Sequence, residues 1–341
     1  MRRTKIIVWS IVSVLILGLL IALFFLPGIG PINIFTGGVY RYADAADYTA
    51  GAKEFPADDL HALDIDWIDG AVELLPSEDG KIHVKESSSF SLEETDKQVH
   101  TRIAEGTLFI RYAVSGKRVS SLRKTLTVRV PPEGLSLRSA SINAISAPLD
   151  LTSLSAEKAV FSTTSGEIRL ETIRATSLVA ETASGGITLS GVTANTLKLE
   201  SMSGGMTLSG VNTETLALDS ISGTMTLTDT VTKTLTADST SGSLRFTGEA
   251  ETITADTTSG SVRLTPSVGI LREIRVESTS GDVTVTLPAT AGFSASLDSM
   301  SGRFSGEFDA RLTDGEYVYG DGKIHISVET NSGNLRIERK K

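Results

Sequence analysis

The stretch that decides the fold is "LESMSGGMTL", residues 199–208. It contains no His, Cys or Lys, yet the chain repeats it. "AETASGGITL" stands at 180–189 and "LDSISGTMTL" at 218–227. Aligned on the Ser-Gly pair, the phrase occurs nine times, at Gly166, Gly185, Gly204, Gly223, Gly242, Gly260, Gly281, Gly302 and Gly333. The spacings are 19, 19, 19, 19, 18, 21, 21 and 31 residues. A fixed period of this size is the signature of a stacked array.

The columns of this alignment carry the architecture. Two residues after each Gly the side chain is always apolar, from Ile168, Ile187 and Met206 through to Leu335. Four residues after, eight of nine are apolar, with Gly306 the exception. Five and seven residues before, all are apolar, as at Leu197 and Leu199. Polar residues alternate with them, so each repeat holds two short strands with one face inward. Such a unit cannot bury its apolar face alone, but stacked on copies of itself it can. The expected fold is all-β: a right-handed parallel β-helix, or solenoid, with coils of about 19 residues.

The Ser-Gly pair then reads as a corner. Ser165-Gly166, Ser184-Gly185, Ser203-Gly204, Ser222-Gly223, Ser241-Gly242 and Ser259-Gly260 are its clearest copies. Gly is expected there for the positive φ of a tight turn and for close backbone approach. Three residues before each Gly stands a hydroxyl, at Thr163, Thr182, Ser201, Ser220, Ser239, Thr257, Ser278, Ser299 and Thr330. By parity these point inward, where they need hydrogen bonds to offset burial.

The frame continues upstream in "LDIDWIDGAVEL", with Leu63, Ile65, Gly70, Val72 and Leu74, but without the Ser-Gly corner. "KIHVKES", "GTLFIRYAV" and "KTLTVRVPP" read as further strands. The expected organisation is a cytoplasmic terminus (1–5), an anchor (6–26), a membrane-proximal linker (27–55), an irregular β cap with the first coils (56–134), and the repeat domain (135–341). Ser139 to Leu151 reads as a degraded coil. The loop at 309–323, with Tyr317 and Tyr319, explains the 31-residue gap and reads as a lid over the stack. The closing "RIERKK" is expected to place charge on the last open edge.

"LTVRVP", the successive Thr-Ser-Gly-type copies and the closing "YGDGKIHISVETNSGNLRI" together resemble the bacterial putative-adhesin family of β-strand-repeat domains. The likeness spans about residues 40–341. It implies a β-solenoid, a membrane-anchored envelope setting and no catalytic residues.

The N-terminus suggests the compartment. "MRRTK" is basic, and the 21 residues from Ile6 to Leu26 carry no charge. That length crosses roughly 30 Å of hydrocarbon. Arg2, Arg3 and Lys5 are expected to stay in the cytoplasm, placing the remainder outside. A cleaved signal peptide is the alternative, but Phe24, Phe25 and Leu26 run into Pro27 without a small-x-small site.

The net charge of −9 argues against a nucleic-acid partner. With no Cys there is no disulfide, thiolate nucleophile or Cys-bound metal. His61, His83, His100 and His325 lack ligand-like spacing, so no metal or cofactor is expected.

One column does carry charge. Four residues before each Gly stand Glu181, Glu200, Asp219, Asp238, Asp256, Glu277, Asp298 and Glu329, with Ser162 breaking the series. By parity these face outward, one strand spacing apart, and repel. Solvent, bound cations, or Arg169, Arg245, Arg263 and Arg336 could relieve this. The column is the candidate site for a cationic peptide or cell-wall component. A glycan-active enzyme is a further alternative, although a uniform ladder singles out no acid and base pair. A third alternative is a rod that associates through its ends.

Overall fold

The computed structural model describes residues 39–119, 122–131 and 137–341. The expected anchor, residues 6–26, lies outside them. Among the described residues no helix is long and apolar enough to cross a membrane. Two 3-10 turns, Ala45–Asp47 and Thr95–Lys97, are the helical elements there; the other regular elements are strands. The chain divides into two compact units, 1–175 and 176–341.

The second unit is a parallel β-solenoid in the expected register. Ile187 lies beside Met206, Met206 beside Met225, then Leu244, Val262 and Val283 in turn. Leu197, Leu216, Leu235, Ile253 and Ile274 make the parallel column on the other strand. Every one of these side chains is at most 2% exposed. Each contributes about 1.5–3 kcal/mol by leaving water. The two columns, about 4.8 Å per rung, are the core.

Each coil has a second corner, outside the Ser-Gly column. Positive φ recurs at Gly191, Gly210 and Asp229 in this unit, and at Ser153 and Thr172 in the first, again at intervals of 19. The signal was present in Gly191 and Gly210, but Ser, Thr and Asp at the equivalent positions hide it. A non-Gly residue tolerates this backbone at a cost of roughly 1–2 kcal/mol.

The stack does not follow chain order at the C-terminal end. Glu273–Ser278 pairs with Ile324–Thr330, and Ile324–Thr330 pairs with Phe293–Ser299. Likewise Leu335–Arg339 lies between Val283–Leu287 and Phe304–Gly306. The last coil in sequence is therefore the last but one in space. "RIERKK" does not guard an edge, because its strand is paired on both sides. The expected lid is instead a short antiparallel hairpin, Arg311–Thr313 with Glu316–Tyr319. The hairpin pairs with Phe293–Ala295. Tyr317 stacks on Phe304 with ring centroids 3.7 Å apart, and Tyr319 packs on Phe293 and Phe308.

The first unit shows the same device. Ala62–Pro76 is a regular coil in one bent strand, pairing in parallel with Leu137–Ser146 and Leu149–Thr152. Its other side takes Thr107–Arg111 and Lys124–Val130, which come later in the chain. His100–Ala104 and Lys81–Ser88 then cover those strands in antiparallel fashion. Residues 39–55, expected as linker, are already folded here. Val39–Tyr40 pairs with Lys117–Arg118, and Lys53–Pro56 pairs with Lys81–Ser88. Tyr40 is fully buried, so its ring belongs to the core of this unit.

Candidate functional site: corners and an acidic ladder

The corner chemistry is uniform. In all nine copies the Gly N–H donates to the hydroxyl three residues earlier, from Gly166 to Thr163 at 3.1 Å through Gly333 to Thr330 at 2.9 Å. Some of the hydroxyls bond onward, as Thr163 donates to the Ala147 carbonyl at 3.0 Å and Ser201 to the Gly185 carbonyl at 3.1 Å. The Gly is not there for its φ: positive values occur at other glycines. It is there for proximity. A Cβ on Gly223 would lie 1.9 Å from the Gly204 carbonyl oxygen, and one on Gly260 would lie 1.8 Å from that of Gly242. The preceding Ser184, Ser203, Ser222, Ser241 and Ser259 are exposed. Two of these reach back across one coil, Ser222 to the Met202 carbonyl and Ser241 to the Ile221 carbonyl. The corner is structural.

The acidic column forms one step before this corner. Inward Leu199 and Ser201 flank Glu200, and the same pattern repeats up the stack, so each carboxylate is turned out. Register brings Glu200 beside Asp219, Asp219 beside Asp238, Asp238 beside Asp256, and Asp256 beside Glu277. Glu329 then stands between Glu277 and Asp298, an order the sequence does not show. The column is not freely solvated. Glu200 is only 9% exposed, and Glu181, Asp219, Asp238, Glu277 and Glu329 are half-buried, while Asp256 and Asp298 are open.

The counter-charges are not those expected. Arg169 pairs with Glu167 and Asp150, and Arg336 with Glu338. Arg245 and Arg263 are neighbours of each other in register. All four sit on the strand after the Ser-Gly corner. The acidic strand has its own cations instead, two residues before a carboxylate. Lys198 pairs with Glu200, and Arg275 with Glu277 at 2.6 Å. The rungs between them, Asp219, Asp238 and Asp256, have Ala217, Thr236 and Thr254 at that position.

Protonation follows from this layout. Burial, and then the neighbouring Asp256 and Asp219 charges, push Asp238 up to about 7. Burial, then Glu277, push Asp256 to about 6, with Arg275 opposing; its open side chain makes this the softer of the two shifts. Asp219 is raised by burial and Glu200, against Lys198 and a hydrogen bond with Asp238. Burial, then Glu200, also raise Glu181. A raised carboxyl holds in the folded state a proton that the unfolded chain has released. Stability from this group therefore falls as pH rises from about 4 through 7. Asp238→Asn is expected to raise the urea midpoint at pH 8 and to raise it much less at pH 5, where only the first part of that loss has accrued. An equal shift at both values would contradict this assignment.

In the first unit the same column is neutralised. Asp66, Asn143 and Ser162 are in register. Ser162 donates to Asn143 at 2.9 Å, Asn143 to Asp66 at 3.3 Å, and Arg111 pairs with Asp66 at 3.2 Å and Asp64 at 2.6 Å. Burial first, then Asp64, hold Asp66 up at about 6, against the Arg111 charge and the Asn143 bond. The histidines do not converge: His83 pairs with Asp79 and Glu54, whereas His100 is buried on the Gln98 carbonyl. Among the described residues no cluster of His and carboxylates could hold a metal ion.

Residues 60–268, more than half the chain, match the profile of the Toastrack DUF4097 family. The chain belongs to that family. The expected kinship with adhesin-type β-repeat domains holds, and the Toastrack assignment agrees with the solenoid coils described above. Among solved structures, the chain aligns with a putative adhesin from Parabacteroides distasonis ATCC 8503 at 14% identity and TM-score 0.45, covering 85% of this chain and 96% of that one. A putative lipid binding protein from the same organism aligns at 14% identity and TM-score 0.40, over 86% and 97%. A putative cell adhesion protein from Clostridium sporogenes ATCC 15579 aligns at 12% identity and TM-score 0.24, over 86% and 100%. No curated protein matches the chain.

Proposed function

We propose that this Toastrack protein is a membrane-anchored, extracytoplasmic, non-catalytic binding scaffold. Its acidic ladder receives a cationic ligand, either a basic peptide or a polycationic cell-wall component. The observation that carries this reading is the run Asp219, Asp238 and Asp256. These three carboxylates stand in register. Their strands supply no Lys or Arg at the position that serves Glu200 and Glu277. An extended cation chain laid along the column would supply the missing charge rung by rung and restore ionisation.

The test is binding of a fluorescent oligolysine to the full-length chain in neutral-lipid nanodiscs. Binding at pH 8 should weaken with added salt. It should fall about tenfold when Asp219, Asp238 and Asp256 all become Asn. It should also weaken towards pH 5.5, as Asp238 and Asp256 take up protons. Undiminished binding by the triple variant would remove the ladder as the ligand face.

A further inference from the structure

We propose that Arg245 and Arg263, in the second unit, form a binding site for a phosphomonoester, on the run that follows the Ser-Gly corner and apart from the acidic column. Both arginines are exposed. They stand side by side in register, one on Leu244–Thr257 and the other on Val262–Ser267. Like charges directly opposite each other, about 4.8 Å apart, repel. Their surroundings do not relieve this. Residues 180–290 contain six Lys and Arg. Lys198, Lys233, Arg272 and Arg275 each hold a carboxylate. Arg245 and Arg263 are in no ion pair among the described residues.

Hydroxyls frame the pair. Leu244 and Phe246 point inward and are buried, so Ser243 and Thr247 share the outer face with Arg245. Ser261 and Thr265 flank Arg263 in the same way, and Thr226 and Thr284 stand on the rungs before and after. The Ser261 N–H donates to the Ser243 hydroxyl at 3.2 Å, and the two hydroxyls share a bond at 3.2 Å. One hydroxyl proton of this pair is left without an acceptor among the described residues. Two carboxylates border the patch. Asp282 accepts from the backbone and side-chain amides of Asn334, both at 2.9 Å, one rung farther from Arg263. Glu249 lies beyond the second corner, in register with Val231 and Ser267. Neither is in an ion pair among the described residues.

The occupant follows from charge and geometry. A guanidinium is a planar fork of donors that matches the oxygens of a phosphate or a carboxylate. Two forks one rung apart need an anion with more than two oxygens if both are to be filled at once. A phosphomonoester has three free oxygens and carries close to two negative charges at pH 8. It therefore answers both guanidinium charges and leaves lone pairs for the Ser and Thr hydroxyls. A carboxylate or a phosphodiester carries one charge and leaves the second arginine uncompensated. The molecule bearing the phosphoryl group is water-borne and not a lipid. Leu244, Phe246, Val262 and Leu264 are all at most 2% exposed, so the patch has no apolar seat for an acyl chain. The site is independent of the acidic ladder, and either can fail without the other.

Phosphorus NMR of methyl phosphate tests this, with the full-length chain in an uncharged, phosphate-free detergent at pH 8. The methyl phosphate signal should broaden as the chain is added. Dimethyl phosphate, with one charge fewer, should bind about tenfold more weakly, and acetate should compete as poorly. Arg245→Gln combined with Arg263→Gln should raise the dissociation constant for methyl phosphate at least about tenfold. Because both side chains are exposed, the variant's thermal melt should not fall below that of the parent. The chain with Asp219, Asp238 and Asp256 all changed to Asn should still bind methyl phosphate, which separates this site from the ladder. A parent that leaves the signal sharp overturns the proposal. So does a double Gln variant that binds as well as the parent, or a parent that takes dimethyl phosphate or acetate as tightly as methyl phosphate.

Discussion

Replacing Lys124 with Met should destabilise the first unit by about 3–5 kcal/mol. Lys124 is fully buried. Its ammonium pairs with Glu86 at 2.8 Å and donates to the Lys97 carbonyl at 2.7 Å and to the Tyr112 carbonyl. It also lies over the rings of Trp67, at 5.1 Å, and Tyr112, at 4.4 Å. Burial lowers its pKa and Glu86 opposes that shift. Removing the ammonium leaves the Glu86 carboxylate, itself 6% exposed, without its counter-charge. Most of the cost comes from that orphan and not from the lost attraction. Urea unfolding followed by Trp67 fluorescence would measure it. Adding Glu86→Leu should recover a large part, since it removes the stranded charge. A single variant within 1 kcal/mol of the parent would show that the ammonium is not the centre of this core.

The second large effect is expected at the corner. Gly204→Ala should cost more than about 3 kcal/mol. The added Cβ would lie 1.8 Å from the Gly185 carbonyl oxygen and 2.3 Å from its carbon. Both are backbone atoms in a hydrogen-bonded coil, so neither can step aside without shifting the rung. Gly269→Ala is the control, with nothing within 4 Å of the new methyl. Its midpoint should change by less than about 0.5 kcal/mol. Equal effects at the two positions would show that backbone proximity does not explain the repeated Gly.

Much of this was legible in the chain because a solenoid writes its contacts into its period. The interval between Ile187 and Met206 is both a spacing in sequence and a contact in space. The inward hydroxyls at Ser201 and Thr182 were readable for the same reason. The acidic column was legible as a column, but its electrostatics were not. Whether Arg245 or Lys198 neutralises a carboxylate depends on which side of the corner each lies and how deeply the strand is set. The sequence did not choose between the two reasons expected for Gly204, positive φ and close backbone approach; the structure shows a carbonyl too near for any side chain.

The period and alternation of "LESMSGGMTL" determined the strands, their inward faces, the corner and the register between coils, since these depend on residues a fixed distance apart. The order of stacking was decided only in three dimensions. Each coil offers the next nearly the same edge, so periodicity alone does not distinguish neighbours in sequence from neighbours in space. The tertiary structure inserts Leu335–Arg339 one rung early and wraps Lys124–Val130 around Ala62–Pro76. Those long-range choices leave Phe293–Ser299 at the end of the second unit, with part of its edge unpaired.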